Sequence, residues 1–556
     1  MNYFKRKDGG LTLCTLSGTN ETGGRNCNYI EYNNQILVID AGFSFPGQEM
    51  YGIDYLIPSI KELKAKRKNI KAILITHGHL DHIGAIPYII EDLGFPPIYA
   101  GPFAIAIMKE KLIEKGLDRR VKFVEIKDTT QFKLGDFDIQ YITTTHSIPD
   151  SFSIFVKSPE GSIFFSGDYK IDEELMDIEA LNSIKGKVDL ALYDSTNVYR
   201  EGRALPEQTA VQTTREIIQK HKGRIIVAAF ASLVTRLASM IKIAQETNRK
   251  VVLSGRSLHT TMRVARYYKY IDVNDSIFIT EKQIKNYPDD QIMILSTGSQ
   301  GERYAALNRI ALGEHLYIKG KPGDLVIMSA SEVPGNEEKI GRMTDLLIRQ
   351  GMDLINNAEA SVHSSGHGLQ EDMKILNSML NPKYIMPIHG SLTFRYQSKK
   401  NYINWGHNPN DILLTEDGQT WTLNNSNVKR GIKVESKPIL IDGLGVGDIG
   451  DIVLKDRAQL SQYGMFCVIL NISQKTKQLL GRPRFISRGF VYMKTSQNLL
   501  KEIENIVVDV HRKWLQEMRN SRKVTEQLLY DELERNIARY IRKKTEREPI
   551  ILPVII

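Results

Sequence analysis

The chain has 556 residues, 42% of them hydrophobic and 25% charged, with a formal net charge of +9 at pH 7. That length exceeds what one core can organise and implies roughly two to four domains. No apolar run approaches the about 18 residues of a membrane span, and three scattered cysteines, Cys14, Cys27 and Cys467, build neither a disulfide framework nor a CxxC metal knuckle. The opening Met1-Asn2-Tyr3-Phe4-Lys5-Arg6 leads into no apolar stretch, so a cytoplasmic protein without membrane attachment is expected. The basic balance favours a polyanionic partner, though weakly, because the charge is spread along the chain.

The first 200 or so residues alternate short apolar runs with polar clusters. Ile36-Leu37-Val38-Ile39, Ala72-Ile73-Leu74-Ile75, Ser162-Ile163-Phe164-Phe165 and Leu190-Ala191-Leu192-Tyr193 predict buried strands. Helical spacing lies between them, from Ile60 to about Lys68 and from Phe103 to Lys115, giving a layered α/β pattern. A second α/β unit is predicted over 205–345. Its strands, such as Ile225-Ile226-Val227-Ala228, Lys250-Val251-Val252-Leu253, Ile292-Met293-Ile294-Leu295 and Leu325-Val326-Ile327-Met328, each run into small polar residues. The first pattern resumes over 346–425 with Tyr384-Ile385-Met386-Pro387-Ile388 as a strand. A Gly-rich linker is expected over 426–450 and an α+β domain over 451–556. In that last domain Ile503, Val507, Val510 and Trp514 share one helix face, and Leu529, Leu533, Ile537 and Ile541 share another.

The segment Thr76-His77-Gly78-His79-Leu80-Asp81-His82 sets three imidazoles and a carboxylate directly after an apolar strand. Imidazole and carboxylate suit zinc or manganese, and a turn can aim alternate side chains at neighbouring ions. Asp40, His146, Asp168 and His389 also follow apolar runs, so one sheet edge can gather them. Singly each reads as a structural His or a turn Asp; beside the HxHxDH cluster they read as ligands.

In these motifs the chain resembles the metallo-β-lactamase superfamily. The resemblance implies one metal held by His77, His79 and His146, a second held by Asp81, His82 and His389, and Asp168 bridging them, with Asp40 orienting a ligand histidine. The unit at 205–345 interrupts the metal motifs, as the insert of the β-CASP nucleases does. Asp194 in Asp194-Ser195-Thr196-Asn197, His367 in His363-Ser364-Ser365-Gly366-His367 and His389 in Pro387-Ile388-His389-Gly390 match that group's motifs. Within the group the chain is similar to the ribonuclease J family over essentially its whole length, with further recurring segments at Phe230-Ala231-Ser232, Ser296-Thr297-Gly298-Ser299 and Ser487-Arg488-Gly489-Phe490-Val491.

The implied architecture is a metallo-β-lactamase αββα sandwich over 1–204 and 346–425, an inserted β-CASP α/β domain, and a C-terminal α+β domain. The implied activity is 5′-to-3′ exonuclease, preferring a 5′ monophosphate, and endonuclease cleavage of single-stranded RNA, in mRNA decay and rRNA maturation. Asp81, Asp194 and His367 form the implied catalytic set, with His367 protonating the leaving 3′ oxygen. Ser232, Leu233 and Val234 with His363, Ser364, Ser365, Gly366 and His367 match positions that hold the terminal nucleotide and its phosphate. The implied cofactors are two zinc ions, with manganese or magnesium as alternatives. Gly52, Asp54 and Asp442 match positions where the family can hold a structural calcium. A homodimer or homotetramer, and association with other RNA-decay proteins, are implied as well. The loop over residues 17–26 departs from the family's shorter turn, whereas none of the seven metal ligands is missing. The alternatives are a DNA nuclease or an RNA 3′-processing endonuclease of the same fold, a catalytically silent RNA-binding scaffold, and a small-molecule hydrolase such as a lactonase.

Overall fold

The computed structural model describes residues 9–556 apart from 22, 48, 334, 492, 494, 495 and 521–523. Residues Met1 to Arg6, and Thr22 of the N-terminal loop, therefore lie outside the described residues. The chain divides into two compact units. One holds Ile57–Ile439 with the segment ending at Ser44; the other holds Phe45–Leu56 with Leu440–Ile556.

Two sheets form the sandwich of the first unit. The eight-stranded sheet runs, in spatial order, Asn427–Lys433, Gln419–Asn424, Leu11–Ser17, Cys27–Tyr32, Gln35–Ile39, Ile70–Leu74, Ile98–Ala100 and Phe123–Glu125. The six-stranded sheet runs Tyr384–Ile388, Leu190–Asp194, Gly161–Phe165, Ser151–Ser158, Phe137–Thr144 and Thr130–Leu134. The two-residue period of a strand sorts its side chains between layers. Leu190 and Leu192 point into the core between the sheets with Leu37, Leu74, Phe165 and Met386. Ala191 and Tyr193 point the other way, onto Leu376, Leu380 and Tyr402 of the covering helices Gln370–Leu380 and Leu392–Asn404.

The inserted sheet has the order Phe278–Ile279, Lys250–Ser254, Ile292–Ser296, Ile225–Ala228, Leu325–Met328 and Asp353–Ile355, with parallel pairing between its neighbours. Helices cover both faces, so its strands read as continuous apolar runs. Ile225, Val227, Val251 and Leu295 face one core, and Ile226, Ala228, Val252 and Ile294 face the other. This sheet extends past the boundary expected at residue 345, because Leu354 and Ile355 pair with Val326 and Ile327.

The stretch expected as a linker over 426–450 is structured. Asn427–Lys433 is the edge strand of the eight-stranded sheet, and Ile439–Asp442 pairs with Gly445–Val446 in a short hairpin. In the second unit, Arg484–Arg488, Met465–Leu470 and Ile550–Ile555 form a three-stranded sheet. Its Phe466, Val468 and Ile551 pack on Ile503, Val507, Leu533 and Ile537 of helices Gln497–Asn520 and Glu526–Thr545.

Leu192 is fully buried between the two sheets of the sandwich. Leu192→Ala should destabilise that layer by about 2–5 kcal/mol, read as a lowered urea midpoint, while Ile113→Ala at an exposed position should leave the midpoint unchanged.

Candidate metal centre

Five residues of the centre sit just beyond strand ends, while His79 caps, and Asp81 and His82 lie in, the short helix Leu80–Ile83. Asp40 follows Gln35–Ile39, His77 follows Ile70–Leu74, His146 follows Phe137–Thr144, Asp168 follows Gly161–Phe165, and His389 follows Tyr384–Ile388. Parallel registers, Phe165 opposite Leu192 and Asp194 opposite Ile388, set the ends that carry Asp168 and His389 on either side of the strand ending in Asp194. Asp40 (φ 60°) and His389 (φ 56°) both hold the left-handed conformation that non-glycine residues avoid. Such strain of about 1–3 kcal/mol persists only where surrounding structure over-determines it. Gly42 admits the closest backbone approach: a Cβ there would lie 1.6 Å from the Asp81 carbonyl oxygen.

The side chains gather in two sets that share Asp168. His77, His79, His146 and Asp168 form one, and Asp81, His82, Asp168 and His389 the other; within each, the ligand atoms lie within 4.8 Å of one another. In the first set, His79 Nδ1 is 3.1 Å from His77 Nε2 and 3.0 Å from His146 Nε2. In the second, His389 Nε2 is 3.2 Å and His82 Nε2 3.5 Å from Asp81 Oδ2. Asp168 reaches both, at 3.6 Å from His77 Nε2 and 3.4 Å from His82 Nε2.

The other nitrogen of each imidazole identifies the converging atoms. Asp40 Oδ2 accepts from His82 Nδ1 at 2.8 Å, while its carboxylate also accepts the Thr76 N–H and hydroxyl. Having donated to Asp40, the Thr76 hydroxyl accepts from His77 Nδ1 at 3.0 Å. Gly366 O accepts from His146 Nδ1 at 2.7 Å, and Ser232 Oγ lies 3.2 Å from His79 Nε2. The Thr196 hydroxyl donates to Asp194 Oδ1 and accepts from His389 Nδ1 at 2.9 Å.

His77, His79 and His146 therefore turn three lone pairs toward one point. Neutral nitrogens that close repel unless a cation lies among them. Their spacing is near the about 3.3–3.4 Å edge of a tetrahedron with bonds of about 2.0–2.1 Å. The donor set fits two borderline divalent cations.

The two sets differ electrostatically. Burial pushes the His77 and His146 pKa values well down and that of His79 to about 4, so these rings are neutral and ready to ligate. Burial acts on His82 and His389 in the same direction, but Asp168 and Asp81 overcome it and hold both well above the usual imidazole value.

His367 lies against both sets. Its Nδ1 is 2.7 Å from Asp194 Oδ2, and its ring packs 5.0 Å from that of His146 and 5.6 Å from that of His389. Burial opposes its protonation and Asp194 outweighs burial, so its pKa is raised. His79, Asp81 and His367 are half-buried and form the open side of the centre, whereas the His146 side chain is buried.

The residues expected to bind substrate divide in two. Ser232 touches His79, and Gly366 touches His146 so closely that a Cβ there would stand 2.8 Å from the imidazole Cε1. Leu233 and Val234 are buried core side chains at the start of helix Val234–Glu246. His363 is buried, and burial together with Arg236 brings its pKa to about 3. Ser364 is turned inward, accepting from Lys170 Nζ at 2.8 Å and donating to Leu205 O at 2.5 Å. Ser365 accepts from Asn197 Nδ2 and from the His367 N–H, which leaves its own hydroxyl proton free.

Sequence reasoning missed Asn26, whose amide bonds to the Asp81 carbonyl, and it missed Thr76, Lys170 and Thr196 as partners of site residues. Thr76 and Thr196 lie inside quoted motifs and were legible as neighbours of ligands; Asn26 and Lys170 carried no such signal.

The expected calcium position does not form a cation cage. Arg457 pairs with Asp442 at 2.7 Å and donates to Tyr51 O, and a Cβ on Gly52 would meet its guanidinium at 2.6 Å. Asp54 instead accepts the Gly443 N–H at 2.7 Å. A guanidinium already supplies the positive charge there.

Because His82 and His389 are held as imidazolium, cations entering the second set must displace protons. Calorimetric titration of the metal-free protein near pH 7, in buffers of different ionisation heat, should show proton release on zinc or manganese binding. Affinity should rise with pH, since the raised imidazole pKa values favour the proton at lower pH. Binding without proton release would contradict this charge assignment.

Three family models match the chain. They are the metallo-beta-lactamase superfamily over residues 21–202, the ribonuclease J beta-CASP domain over 222–347 and the ribonuclease J C-terminal domain over 452–556. Ribonuclease J 1 of Streptococcus pyogenes serotype M3 is 33% identical over 100% of this chain and 99% of its own. Ribonuclease J2 of Bacillus subtilis is 34% identical over 99% of each chain. Ribonuclease J 2 of Staphylococcus saprophyticus is 31% identical over the full length of both. A solved structure of a protein of unknown function from Enterococcus faecalis V583 aligns with 74% of this chain and 100% of its own. Its TM-score of 0.53 at 15% identity is a likeness of fold alone. With end-to-end similarity at these identities and all three domain models in order along it, the chain belongs to the ribonuclease J family.

Proposed function

We propose that the protein is a two-metal ribonuclease that degrades single-stranded RNA from 5′-monophosphorylated ends in the 5′-to-3′ direction and also cuts internally. Its setting is mRNA decay and rRNA maturation in the cytoplasm, as a homodimer or homotetramer. No described helix is long and apolar enough to cross a membrane. The observation that carries the reading is the gathering of imidazole and carboxylate ligand atoms in two sets that share Asp168, beside the His367–Asp194 pair. Membership of the ribonuclease J family supports RNA as the polymer cut.

His77, His79 and His146 would hold one cation, Asp81, His82 and His389 the second, and Asp168 both. Two zinc ions, or manganese or magnesium in their place, supply a water made acidic near neutrality and positive charge beside the phosphate oxygens. The protein's own residues do the rest. His367 is kept protonated by Asp194 and offers its free Nε2 to the leaving oxygen. Once that water had released a proton to solvent, its oxygen would bond to phosphorus as the bond from phosphorus to the 3′ oxygen broke and the His367 proton passed to that oxygen. Thr196 holds Asp194 in place, accepting nothing from His367 itself. Ser232 with Ser365, Gly366 and His367 would receive the terminal phosphate, with the Ser365 hydroxyl as a donor; the contacts of Ser232 with His79 and of Gly366 with His146 support this. A 5′ triphosphate carries more bulk and charge than that loop accepts.

Wild-type protein should release mononucleotides from 5′-monophosphorylated RNA faster than from the 5′-triphosphorylated form, and His79→Ala should release none. His367→Ala should keep its metal content and lose about 10²-fold or more in kcat. Equal cleavage by wild type and His79→Ala would place the chemistry elsewhere, and loss of metal from His367→Ala would make that residue a ligand instead of an acid.

A further inference from the structure

The carboxyl ends of the inserted sheet extend the surface around Ser232 away from the metal centre's own residues. Ser232, just beyond strand Ile225–Ala228, touches His79. The adjacent strand Ile292–Ser296 ends level with it, with Ala228 opposite Ser296, and on its far side Ser254 is also opposite Ser296. The loop leaving Ser296 carries Arg303 and Tyr304. Tyr304 is 80% exposed, and the Arg303 guanidinium carbon lies 5.5 Å from the centre of its ring.

This loop is braced. Gln300 Nε2 donates to Ser331 O and its Oε1 accepts the Val333 N–H; Leu307 N–H returns to Thr297 O, and Ala305 N–H to Glu302 O. The phenol is thus presented by a held loop. Thr297 N–H bonds to Ser254 O, and a Cβ on Gly255 would lie 2.3 Å from Thr297 Oγ1, so the helix Arg256–Tyr267 starts against the same loop. Arg256 opens that helix and is exposed. Cations at the strand starts are engaged: Arg224 with Asp324, Lys321 with Asp289, Arg266 with Asp275, and Arg249 with backbone carbonyls. Arg256 and Arg303 make no ion pair among the described residues.

An exposed ring beside an unneutralised guanidinium, on the sheet end that also presents Ser232 to His79, has the chemistry of single-stranded nucleic-acid binding. Bases stack on the ring or on a guanidinium plane, and cations follow the phosphates. We propose that Tyr304 and Arg303 form a stacking platform for a nucleotide of single-stranded RNA beyond the scissile bond. This rests on the ribonuclease reading above and adds a subsite to it. The platform is indifferent to base identity, because every base offers a π face.

The test compares a 5′-monophosphorylated dinucleotide with an RNA of about 20 nucleotides, using full-length wild type, Tyr304→Ala, Tyr304→Phe and the double variant Arg303→Ala with Tyr304→Ala. Loss of one stacked base should raise KM for the long RNA about five-fold or more in Tyr304→Ala and further in the double variant. Tyr304→Phe, which keeps the ring, should match wild type, and kcat, melting temperature and dinucleotide kinetics should not change. An unchanged KM for the long RNA, or an equal loss on both substrates, overturns the platform while leaving the ribonuclease reading in place. Wild-type protein that cuts neither RNA overturns both.

Discussion

Everything in the sandwich is arranged around one electrostatic constraint: imidazole lone pairs and carboxylates packed within hydrogen-bond range of one another and largely away from water. Asp168 is where the two sets meet, 3.4 Å from His82 and 3.6 Å from His77. Without cations, part of the balance comes from protons on His82 and His389; on the side of His77, His79 and His146 the rings are neutral and their lone pairs are left facing one another. The left-handed backbones of Asp40 and His389 show that the strand ends are held to the centre's geometry against local preference.

Under the proposed function, the outer partners tie substrate handling to metal holding. Gly366, in the loop assigned to the terminal phosphate, accepts from His146; Ser232, at the end of an inserted-sheet strand, contacts His79; Asp194, which charges His367, also takes the Thr196 hydroxyl that orients His389. Each ligand imidazole thus leans on a different element. On the proposed reading, a residue of the 363–367 loop would act on metal affinity through the tautomer of a ligand as well as through any contact of its own with RNA.

Much of this was legible in the sequence. Apolar runs ending in Asp or His marked the strand ends, and the spacing of His77, His79, Asp81 and His82 marked the centre, because both signals are local. Contacts between distant segments were not legible. Ser364 matches a position expected to hold the terminal nucleotide, yet Lys170 and Leu205 draw it inward; Gly52 and Asp442 read as cation ligands, yet Arg457 stands between them. The same holds for the segment Phe45–Leu56, which packs with the C-terminal unit although it lies among the sandwich strands in sequence, and for the stretch over 426–450, whose Gly-rich composition hid its strands. In each case the deciding partner lies in a part of the chain that no local pattern connects to it.

A shared carboxylate forces its two cations to within about 3.5–4 Å of each other. Electron paramagnetic resonance of the metal-free protein titrated with manganese reads that separation directly. With two equivalents per chain, the spectrum should be that of an exchange-coupled pair, and Asp168→Asn should abolish the coupling. Two magnetically isolated ions, or saturation at one ion per chain, would contradict the account.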